Sequence, residues 1–458
     1  KASEDMAGGN RKYTAGAMRF AYETSDDLLP LLATPEDPRI LRADFGRYTQ
    51  QSFSSDLLKF NDKEPLSVEQ KTLVSKSYST LLWLASHGVT FDPIWSRQSF
   101  EKAGKIVFWG GLTLAAENEG VGLFNMELRA FKSLGGEIRY RTEFKSLNTS
   151  NGIITGVTLT SGEELKSKAI ILACGGFESN ATLRSKFLGL EWASAKVRGT
   201  PNNTGDGLIA AWDLGAQRYG RFSGCHATPM DYFMKDYGNL SIPHGERKNY
   251  RKICYFLGVM LNENGLRFLD EGVDFRNYTY AQFGQAILKE PGKRAWQIFD
   301  SKVFDLLYSE YEFSDAHYEE ADSLAELFQK CDGLDSLTAM KTLQEFNRNV
   351  AKVINFDPTV LDGLSSHSSG VNKSNWAQKI DTGPFRAYPV TGGITFTYGG
   401  LKVSQKAEVL DTQDNPIKGL FACGEIVGGV FYGGYPGGSG LTSGAVFGRL
   451  AGSSATNF

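Results

Sequence analysis

The sequence predicts an α/β protein with a second, mixed α+β domain inserted into the first. Two observations indicate this architecture. Residues 169–173 form a continuous apolar run, which is typical of a strand buried in a parallel sheet. Glycine pairs recur in both end portions of the chain, whereas the middle block has fewer of them and contains amphipathic helices. We therefore expect the two end portions to form one domain and the middle block to be an insertion.

The predicted boundaries follow this change in glycine content. The first domain is expected to consist of residues 1–226 and 366–458, and the inserted domain of residues 227–365. Within the insertion, apolar residues recur with the helical period at 323–329 and at 339–353, so both segments are predicted to be helices.

Local signals place further elements in the first domain. A helical pattern that starts at Gly122 ends at Gly135, because glycine is the usual residue just after a helix, and a short strand pattern follows at 137–140. An Asn-Gly turn signal at 151–152 precedes an alternating strand at 153–160. This part of the chain is therefore predicted to alternate between helix and strand.

Composition excludes several classes of protein. The 458 residues carry 49 lysines and arginines against 52 aspartates and glutamates, a net charge of −3 without a long run of one sign, so no nucleic-acid surface is predicted. The five cysteines lack C-x-x-C spacing, which argues against disulfides and zinc and favours the cytoplasm. No run of 18 apolar residues predicts a membrane span. A small molecule is the expected partner, and no bound metal is expected.

The glycines indicate one extended ligand. Glycine accounts for 51 of the 458 residues, above the average of about 7%, and its clusters bring backbone close to a ligand from several directions. An apolar strand at 420–423 leads into Gly424 and Glu425. The Glu425 carboxylate can accept hydrogen bonds from a polyol, while glycines let backbone N–H groups approach phosphate. Taken alone, this segment is equally well explained as an ordinary glycine-bounded turn.

Five motifs together resemble those of the FAD-binding fumarate reductase and succinate dehydrogenase flavoproteins. They lie at 8–10, 170–180, 203–207, 267–271 and 422–429, so the resemblance covers nearly the whole chain. The segments most similar to the tricarballylate dehydrogenase branch lie at 270–280, 373–377, 394–400 and 435–444. The resemblance implies a glutathione-reductase-like FAD-binding domain with an inserted capping domain. It also implies hydride transfer between flavin N5 and a carbon–carbon bond of a small carboxylic acid.

The resemblance further implies which residues bind FAD. The cofactor is expected to be noncovalent, because the histidine that succinate dehydrogenases link to the flavin has no counterpart between Gly8 and Gly16. The implied cofactor-binding residues lie mostly in the glycine-rich motifs and are Gly8, Gly9, Asn10, Phe144, Ala173, Gly175, Gly176, Asn203, Thr204, Gly205, Asp206, Gly424, Glu425, Gly440, Leu441 and Thr442.

Two residues carry the chemistry that the resemblance implies. Arg276 occupies the position of the family's proton-shuttle arginine, and His226 that of a histidine in contact with a substrate carboxylate or carbonyl. Because arginine normally keeps its proton, we expect Glu271 and Asp274 to hold and polarise the Arg276 guanidinium. The alternative is that Arg276 forms an ordinary buried ion pair.

The residues expected to bind the substrate differ from those of fumarate reductases. Phe396 or Thr395 stands where those enzymes have a histidine, and Tyr435 where they have an arginine. Each lost charged hydrogen bond weakens carboxylate binding by about 1.5–3 kcal/mol, so fumarate and succinate are not the expected substrates. A different acid is implied, held by Tyr398, Tyr435, Ser439, Thr442 and Arg386.

Two other functions stay open. The 3-ketosteroid dehydrogenases resemble this chain in a C-terminal Tyr-Pro-Gly run, here at Tyr435, which polarises a ketone, but they lack the arginine shuttle. A non-catalytic remnant is suggested because the family's opening strand, G-x-G-x-x-G turn, helix and second strand do not precede Lys1. We expect that about thirty residues, one βαβ unit, are missing and that FAD binding depends on them. A separate electron-transfer partner is also compatible with the resemblance.

Overall fold

The structure, a computed structural model, describes residues 1–96, 98–108, 111–243, 246–350, 356–367 and 370–458. The helices in this described part are α1 (Gln50–Leu58), α2 (Val68–Ser86), α3 (Glu119–Ser133), α4 (Ala181–Phe187), α5 (Asp206–Asp213), α6 (Arg276–Leu288), α7 (Leu324–Lys330), α8 (Ser336–Asn349) and α9 (Ser439–Ala455). The strands are β1 (Ala17–Met18), β2 (Ala43–Asp44), β3 (Phe91–Pro93), β4 (Ser99–Lys102), β5 (Lys105–Phe108), β6 (Leu114–Ala116), β7 (Phe144–Ser150), β8 (Ile153–Leu159), β9 (Glu164–Lys166), β10 (Ile170–Leu172), β11 (Lys196–Val197), β12 (Arg218–Tyr219), β13 (Cys225–Asp231), β14 (Val259–Asn262), β15 (Ala295–Asp300), β16 (Glu319–Ala321), β17 (Phe385–Thr397), β18 (Gly400–Leu401), β19 (Glu408–Leu410) and β20 (Pro416–Ala422).

The first large sheet has the strand order β10-β20-β8-β7, and β9 and β19 pair beside it. β10 runs parallel to β20, with Leu172 opposite Ala422, and β20 also runs parallel to β8. The carboxyl ends of β10 and β20 therefore lie side by side. The chain leaves these two strands close to Gly175 and Gly424, so the two predicted glycine motifs meet at one edge of the sheet.

The second large sheet has the order β11-β17-β15-β14, and β13 and β16 also pair with β17. Its longest strand, β17, ends with Phe396 and Thr397 opposite His226 and Cys225 of β13. Because β17 starts at Phe385, this sheet extends beyond the predicted boundary at residue 365. The division into a first and an inserted domain at that residue stays a prediction.

Most predicted elements are present, with ends shifted by a few residues. α3, β8 and β10 correspond to the predicted helix from Gly122 and to the strands at 153–160 and 169–173. Residues 137–140, in contrast, form no strand. That prediction was wrong because the alternating pattern finds no neighbouring strand and leaves Ile138 exposed. α8 ends at Asn349, and the last residues of its predicted range, 351–353, lie outside the described part of the chain.

The two end portions of the chain share one apolar core. Phe20, Leu73, Leu208 and Phe447 are all buried in the same cluster, although they are far apart in sequence. A separate cluster beneath the second sheet contains Val259 together with side chains of α7 and α8. The second sheet and its helices therefore have a core of their own.

α6 packs closely on β13 and β17, and this contact fixes the position of the first turn of α6. A Cβ atom at Gly284 would lie 2.6 Å from the carbonyl carbon of Ala227 and 2.7 Å from the carbonyl oxygen of Thr228. On β17, a Cβ atom at Gly392 would lie 2.2 Å from the Gly284 carbonyl oxygen. Only glycine at these two positions lets the helix and the sheet approach so closely.

We expect Gly284→Ala to lower the melting temperature. Overpacking against backbone costs about 1–3 kcal/mol, more than the roughly 1 kcal/mol that alanine gains over glycine inside a helix. Gly452→Ala on α9 is the matched control, because no atom lies within 4 Å of its added Cβ, and it should stabilise by up to about 1 kcal/mol. Equal melting temperatures for the two variants, measured calorimetrically, would contradict the close contact.

Candidate functional site

A cavity of about 1230 Å³ opens at the edge of the first sheet where β10 and β20 end. Its walls come from the segment at Gly8 to Asn10, from the chain after β10 and β20, and from the starts of α6 and α9. Small-molecule sites commonly measure roughly 300–1,000 Å³. This cavity therefore has room for a long ligand together with a small one.

Most predicted cofactor-binding residues line this cavity, namely Gly8, Gly9, Asn10, Ala173, Gly175, Asn203, Gly424, Glu425, Gly440 and Leu441. The other predicted residues lie outside its described lining, and they are Phe144, Gly176, Thr204, Gly205, Asp206 and Thr442. Three of the latter surround the start of α5, where the Lys1 ammonium bonds to Thr204 and Asp206. The structure thus brings the glycine motifs together but leaves Phe144 and the start of α5 outside.

Gly175 and Gly176 allow polar side chains to close over the end of β10. A Cβ atom at Gly175 would lie 2.3 Å from Asn203 Nδ2, and one at Gly176 would lie 2.2 Å from Glu425 Oε1. Gly175 also has a φ of 77°, which side chains rarely adopt. Both glycines are therefore required for Asn203 and Glu425 to reach the cavity wall.

Two buried carboxyl groups lie in this wall. Asn10 Nδ2 and Asn203 Nδ2 donate to Glu178 Oε1 at 2.7 and 2.6 Å. The backbone N–H and the hydroxyl of Thr397 donate to Glu425 Oε1 at 2.8 and 3.1 Å. Burial raises the pKa of Glu178 well above its ordinary value, and the neighbouring Glu425 carboxylate raises it further. Burial also raises the pKa of Glu425.

The start of α9 closes another side of the cavity. Gly438 precedes the helix with a φ of 86°, and a Cβ atom there would lie 2.4 Å from Leu112 Cδ1. Gly440, Leu441 and Ser443 in the first turns line the cavity. The unpaired backbone N–H groups and the positive end of the helix dipole favour an anionic group at this position.

The opposite end of the cavity is aromatic. Tyr280, Phe396, Tyr398 and Tyr435 line it, and the Tyr280 and Tyr435 hydroxyls are 2.5 Å apart. His226 packs behind these residues, with ring centroids 5.0 Å from Phe396 and from Tyr435. Burial, together with the charge of Arg198, holds the pKa of His226 well below its ordinary value. The imidazole is therefore neutral at pH 7.

Three arginines line the same end of the cavity. They are Arg198, Arg251 and Arg276. Arg198 donates to the Thr395 hydroxyl at 3.0 Å and to the Tyr13 carbonyl at 2.9 Å, both uncharged groups. Burial and the charge of Arg251 lower the pKa of Arg198 to about 10, so it stays charged at neutral pH.

The other two guanidinium groups differ in their pairing. Arg251 donates to Glu310 at 2.6 Å, whereas its buried Nε atom has no partner among the described residues. Arg276 is the first residue of α6 and faces the ring of Tyr308 at 5.2 Å. In the described part of the chain, no carboxylate pairs with Arg198 or Arg276. This end of the cavity therefore carries an excess of positive charge.

Among the residues that the structure describes, the expected carboxylate relay to Arg276 is not formed. Glu271 is fully buried and forms a two-point ion pair with Arg267, and it also accepts the Met260 N–H at 2.7 Å. Asp274 accepts the Phe275 N–H at 2.7 Å. The structure therefore does not bring Glu271 or Asp274 to the Arg276 guanidinium, because both carboxylates have partners of their own.

Three predicted substrate-binding residues also have other contacts. Arg386 donates to Glu320 at 2.6 Å and lies outside the described lining of the cavity. The Ser439 hydroxyl donates to the Pro436 carbonyl at 2.6 Å, and the Thr442 hydroxyl donates to the Gly438 carbonyl. Of the predicted substrate-binding set, Tyr398 and Tyr435 are the two that line the cavity.

Four residues of the site were missed in the sequence, namely Glu178, Arg198, Arg251 and Tyr280. Glu178 lies within the recognised motif at 170–180 and Arg198 lies five residues before the motif at 203–207, and a charged residue beside a buried strand end is itself a signal. Tyr280 lies one turn of α6 after Arg276, so it shares a helix face with that residue. No pattern in the sequence distinguishes Arg251 from a surface arginine.

We expect Glu271→Gln to destabilise the protein instead of acting on turnover alone. The change leaves the buried Arg267 charge unpaired, and breaking a buried ion pair costs about 3–5 kcal/mol. Glu320→Gln, which breaks the more exposed pair with Arg386, is the matched control and should cost no more than about 1 kcal/mol. The measurement is urea unfolding of both variants. Equal midpoints would show that the Arg267–Glu271 pair is not structural.

Among the described residues, none of the helices has both the length and the apolar character needed to cross a membrane. The same residues contain no group of three or more His, Cys, Asp or Glu side chains suited to a metal ion.

Comparison with known proteins places the chain among flavoproteins. Residues 69–441 match the sequence model of a family described as FAD binding domain. The chain is 26% identical over 464 residues to a fumarate reductase (cytochrome) of Shewanella frigidimarina, covering 99% of this chain and 72% of that protein. It is 28% identical over 295 residues to the probable fumarate reductase Ifc3 of Shewanella frigidimarina (strain NCIMB 400), covering 63% of this chain. The chain spans 44% of the length of that second relative.

A solved structure shares the fold. The 3-ketosteroid delta1-dehydrogenase from Sterolibacterium denitrificans, in complex with 1,4-androstadiene-3,17-dione, gives a TM-score of 0.70. The match covers 100% of this chain and 94% of that chain, at 18% sequence identity. At this identity the likeness concerns the fold alone.

Proposed function

The chain belongs to the FAD binding domain family, in its fumarate reductase and succinate dehydrogenase type, and from this premise we propose that it is an FAD-dependent oxidoreductase acting on a carbon–carbon bond of a small carboxylic acid. FAD is the cofactor that the family indicates. When bound, it supplies the two-electron acceptor or donor that such a reaction requires. The tricarballylate-like acid suggested by the sequence is the leading substrate.

The residues present fit noncovalent FAD. Gly9 and Gly424 line the cavity with no atom within 4 Å of a Cβ placed there, so a ligand can approach their backbone, and the start of α9 offers backbone N–H groups to a phosphate. Two buried polar atoms of residues that line the aromatic end, Tyr398 Oη and Arg251 Nε, have no partner among the described residues. Buried polar atoms normally have partners, so ligand groups are expected to supply them.

We infer a carboxylate substrate from the cluster of Arg198, Arg251 and Arg276. Of these three, Arg251 is the one paired with a carboxylate in the described structure. Burying unpaired charge is costly, and guanidinium groups bind carboxylates with geometric specificity. We infer that substrate carboxylates complete these pairs. A diacid or triacid fits this charge better than a steroid, which has no anionic group.

A proton must also move when a carbon–carbon bond is oxidised or reduced. We propose Arg276 as the residue that handles it, because its guanidinium faces the same end of the cavity as the other arginines. Although burial opposes it, the phenols of Tyr308 and Tyr255 hold the pKa of Arg276 above its ordinary value.

A ketosteroid-like reaction is the second candidate, and the pair of Tyr280 and Tyr435 favours it. Two phenols 2.5 Å apart can share a proton and polarise a ketone oxygen. The three arginines argue against an apolar steroid in the same space. A non-catalytic protein with this fold remains the third candidate, and flavin binding and turnover distinguish it from the other two.

The substrate is tested by mixing the protein, loaded with FAD, with tricarballylate, succinate and a 3-ketosteroid, and following bleaching of the flavin absorbance. We expect bleaching by the triacid. Arg198→Met should raise the KM for this acid about 10- to 100-fold, because a charged hydrogen bond is worth about 1.5–3 kcal/mol. Arg386→Met is the comparison variant, since its guanidinium pairs with Glu320 away from the cavity lining. Bleaching by the steroid alone would favour the second candidate.

Arg276→Lys should lower kcat about 10²–10⁴-fold, the range expected for a lost general acid or base, with FAD content unchanged. Lysine keeps the charge but loses the planar guanidinium fork. His226→Ala should instead raise KM, because His226 packs behind the aromatic wall. For both variants, kcat and KM are determined from rates over a range of acid concentrations up to saturation, together with the flavin content. Near-normal kcat for Arg276→Lys would move the proton-transfer role to Tyr280 or Tyr435.

A further inference from the structure

We propose that Glu178 positions Glu425 for the cofactor by donating a hydrogen bond from a protonated Oε2 to the Glu425 carboxylate. Glu425 lines the cavity, whereas Glu178 lies behind it, fully buried. Glu178 would thus act on the cofactor through its neighbours. The proposal rests on FAD as the cofactor and is independent of which substrate the cavity takes.

The two carboxyl groups are held against each other by a shared amide. Asn203 Nδ2 donates to Glu178 Oε1 at 2.6 Å and reaches Glu425 Oε2 at 3.3 Å. In the described part of the chain, neither carboxyl group forms an ion pair with an arginine, lysine or histidine. Two like charges this close and this deeply buried cannot both be stable, so one carboxyl group must keep its proton.

The hydrogen bonds identify Glu178 as the protonated partner. Glu425 accepts three donors, including the strongly oriented backbone N–H of Thr397, which stabilise an anion. Glu178 Oε1 accepts two amide groups, from Asn10 and Asn203. Glu178 Oε2 is buried and has no donor among the described residues. A proton on that atom turns an unpaired oxygen into a donor toward Glu425.

The other charged or titratable groups around Glu178 do not offset its charge. Arg184 interacts electrostatically with Glu178, but its guanidinium donates to the carbonyl oxygens of Glu178, Trp192 and Ala193 and forms no ion pair with the carboxyl group. The remaining neighbours are the Cys225 thiol and the Tyr237 phenol, and burial raises the pKa of both. None of these neighbours forms an ion pair with the Glu178 carboxyl group.

A protonated Glu178 would also fix two segments that contact the cofactor region. Its Oε1 atom holds Asn10, which in turn donates to the Thr395 carbonyl at 2.7 Å and accepts the Thr200 N–H at 2.8 Å. The cluster therefore ties the glycine loop at Asn10 to the end of β17. Loss of the proton would put two negative charges side by side, which should displace Glu425 and weaken cofactor binding.

The test compares FAD affinity of the apoprotein for Glu178→Gln and Glu178→Ala at pH 7, by fluorescence titration without substrate. Glutamine keeps the acceptor oxygen and supplies an N–H in place of the protonated oxygen. We expect Glu178→Gln to bind FAD within about threefold of the wild type and Glu178→Ala at least about tenfold more weakly. Glu69→Gln is the matched control, since Glu69 is another buried carboxyl that lies outside the cavity lining. It should bind FAD as the wild type does.

Infrared spectra decide the protonation state directly. The difference between wild type and Glu178→Gln should contain the carbonyl band of a protonated carboxylic acid. Because burial and the neighbouring Glu425 raise the pKa of Glu178, its proton is lost only as the pH rises through that raised pKa. Wild-type FAD affinity should then fall at high pH, whereas that of Glu178→Gln should not.

Carboxylate bands in the difference spectrum would overturn the proposal, and so would Glu178→Gln binding FAD as weakly as Glu178→Ala. A merely structural role would lower the melting temperature of both variants without producing the acid band. None of these measurements uses turnover, so a wrong substrate assignment leaves their outcome unchanged.

Discussion

The parallel pairing of β10 with β20 is the constraint on which the site depends. It places the segment that contains Gly175 and Glu178 beside the segment that contains Glu425, although these segments are far apart in the sequence. The absence of side chains at Gly175 and Gly176 then lets Asn203 and Glu425 close over the strand end. Without this register, neither the carboxyl pair nor the cavity wall could form.

β17 connects this edge to the other end of the cavity. It runs through the second sheet, and its last residues present Thr395 to Arg198, Phe396 to His226 and Thr397 to Glu425. One strand therefore contacts both the arginine cluster and the buried carboxyl pair. The close packing of α6 on the same sheet places Arg276 and Tyr280 opposite it.

The sequence predicted the parts of the site that lie in glycine motifs, because glycine has a conformational reason to occur there. It predicted less well the partners of charged residues, since pairing is decided in three dimensions. Glu271 lies five residues before Arg276 in sequence but pairs with Arg267, four residues before it in a segment that is not helical. Arg198 and Arg251 come together only through the fold, from segments without a shared motif. The strand predicted at 137–140 was wrong for the same reason, because a strand requires a neighbouring strand that the local sequence pattern does not specify.

The two ends of the cavity have opposite electrostatic requirements. An anionic cofactor near the start of α9 would be repelled by two ionised carboxyl groups, and sharing one proton between Glu178 and Glu425 halves that charge. At the aromatic end, the unpaired guanidinium groups make the site unfavourable for an apolar ligand and favourable for an acid. Neutral His226 adds no further charge there. In this proposal, the distribution of charge along the cavity separates a cofactor region from a substrate region, even though both open from the same sheet edge.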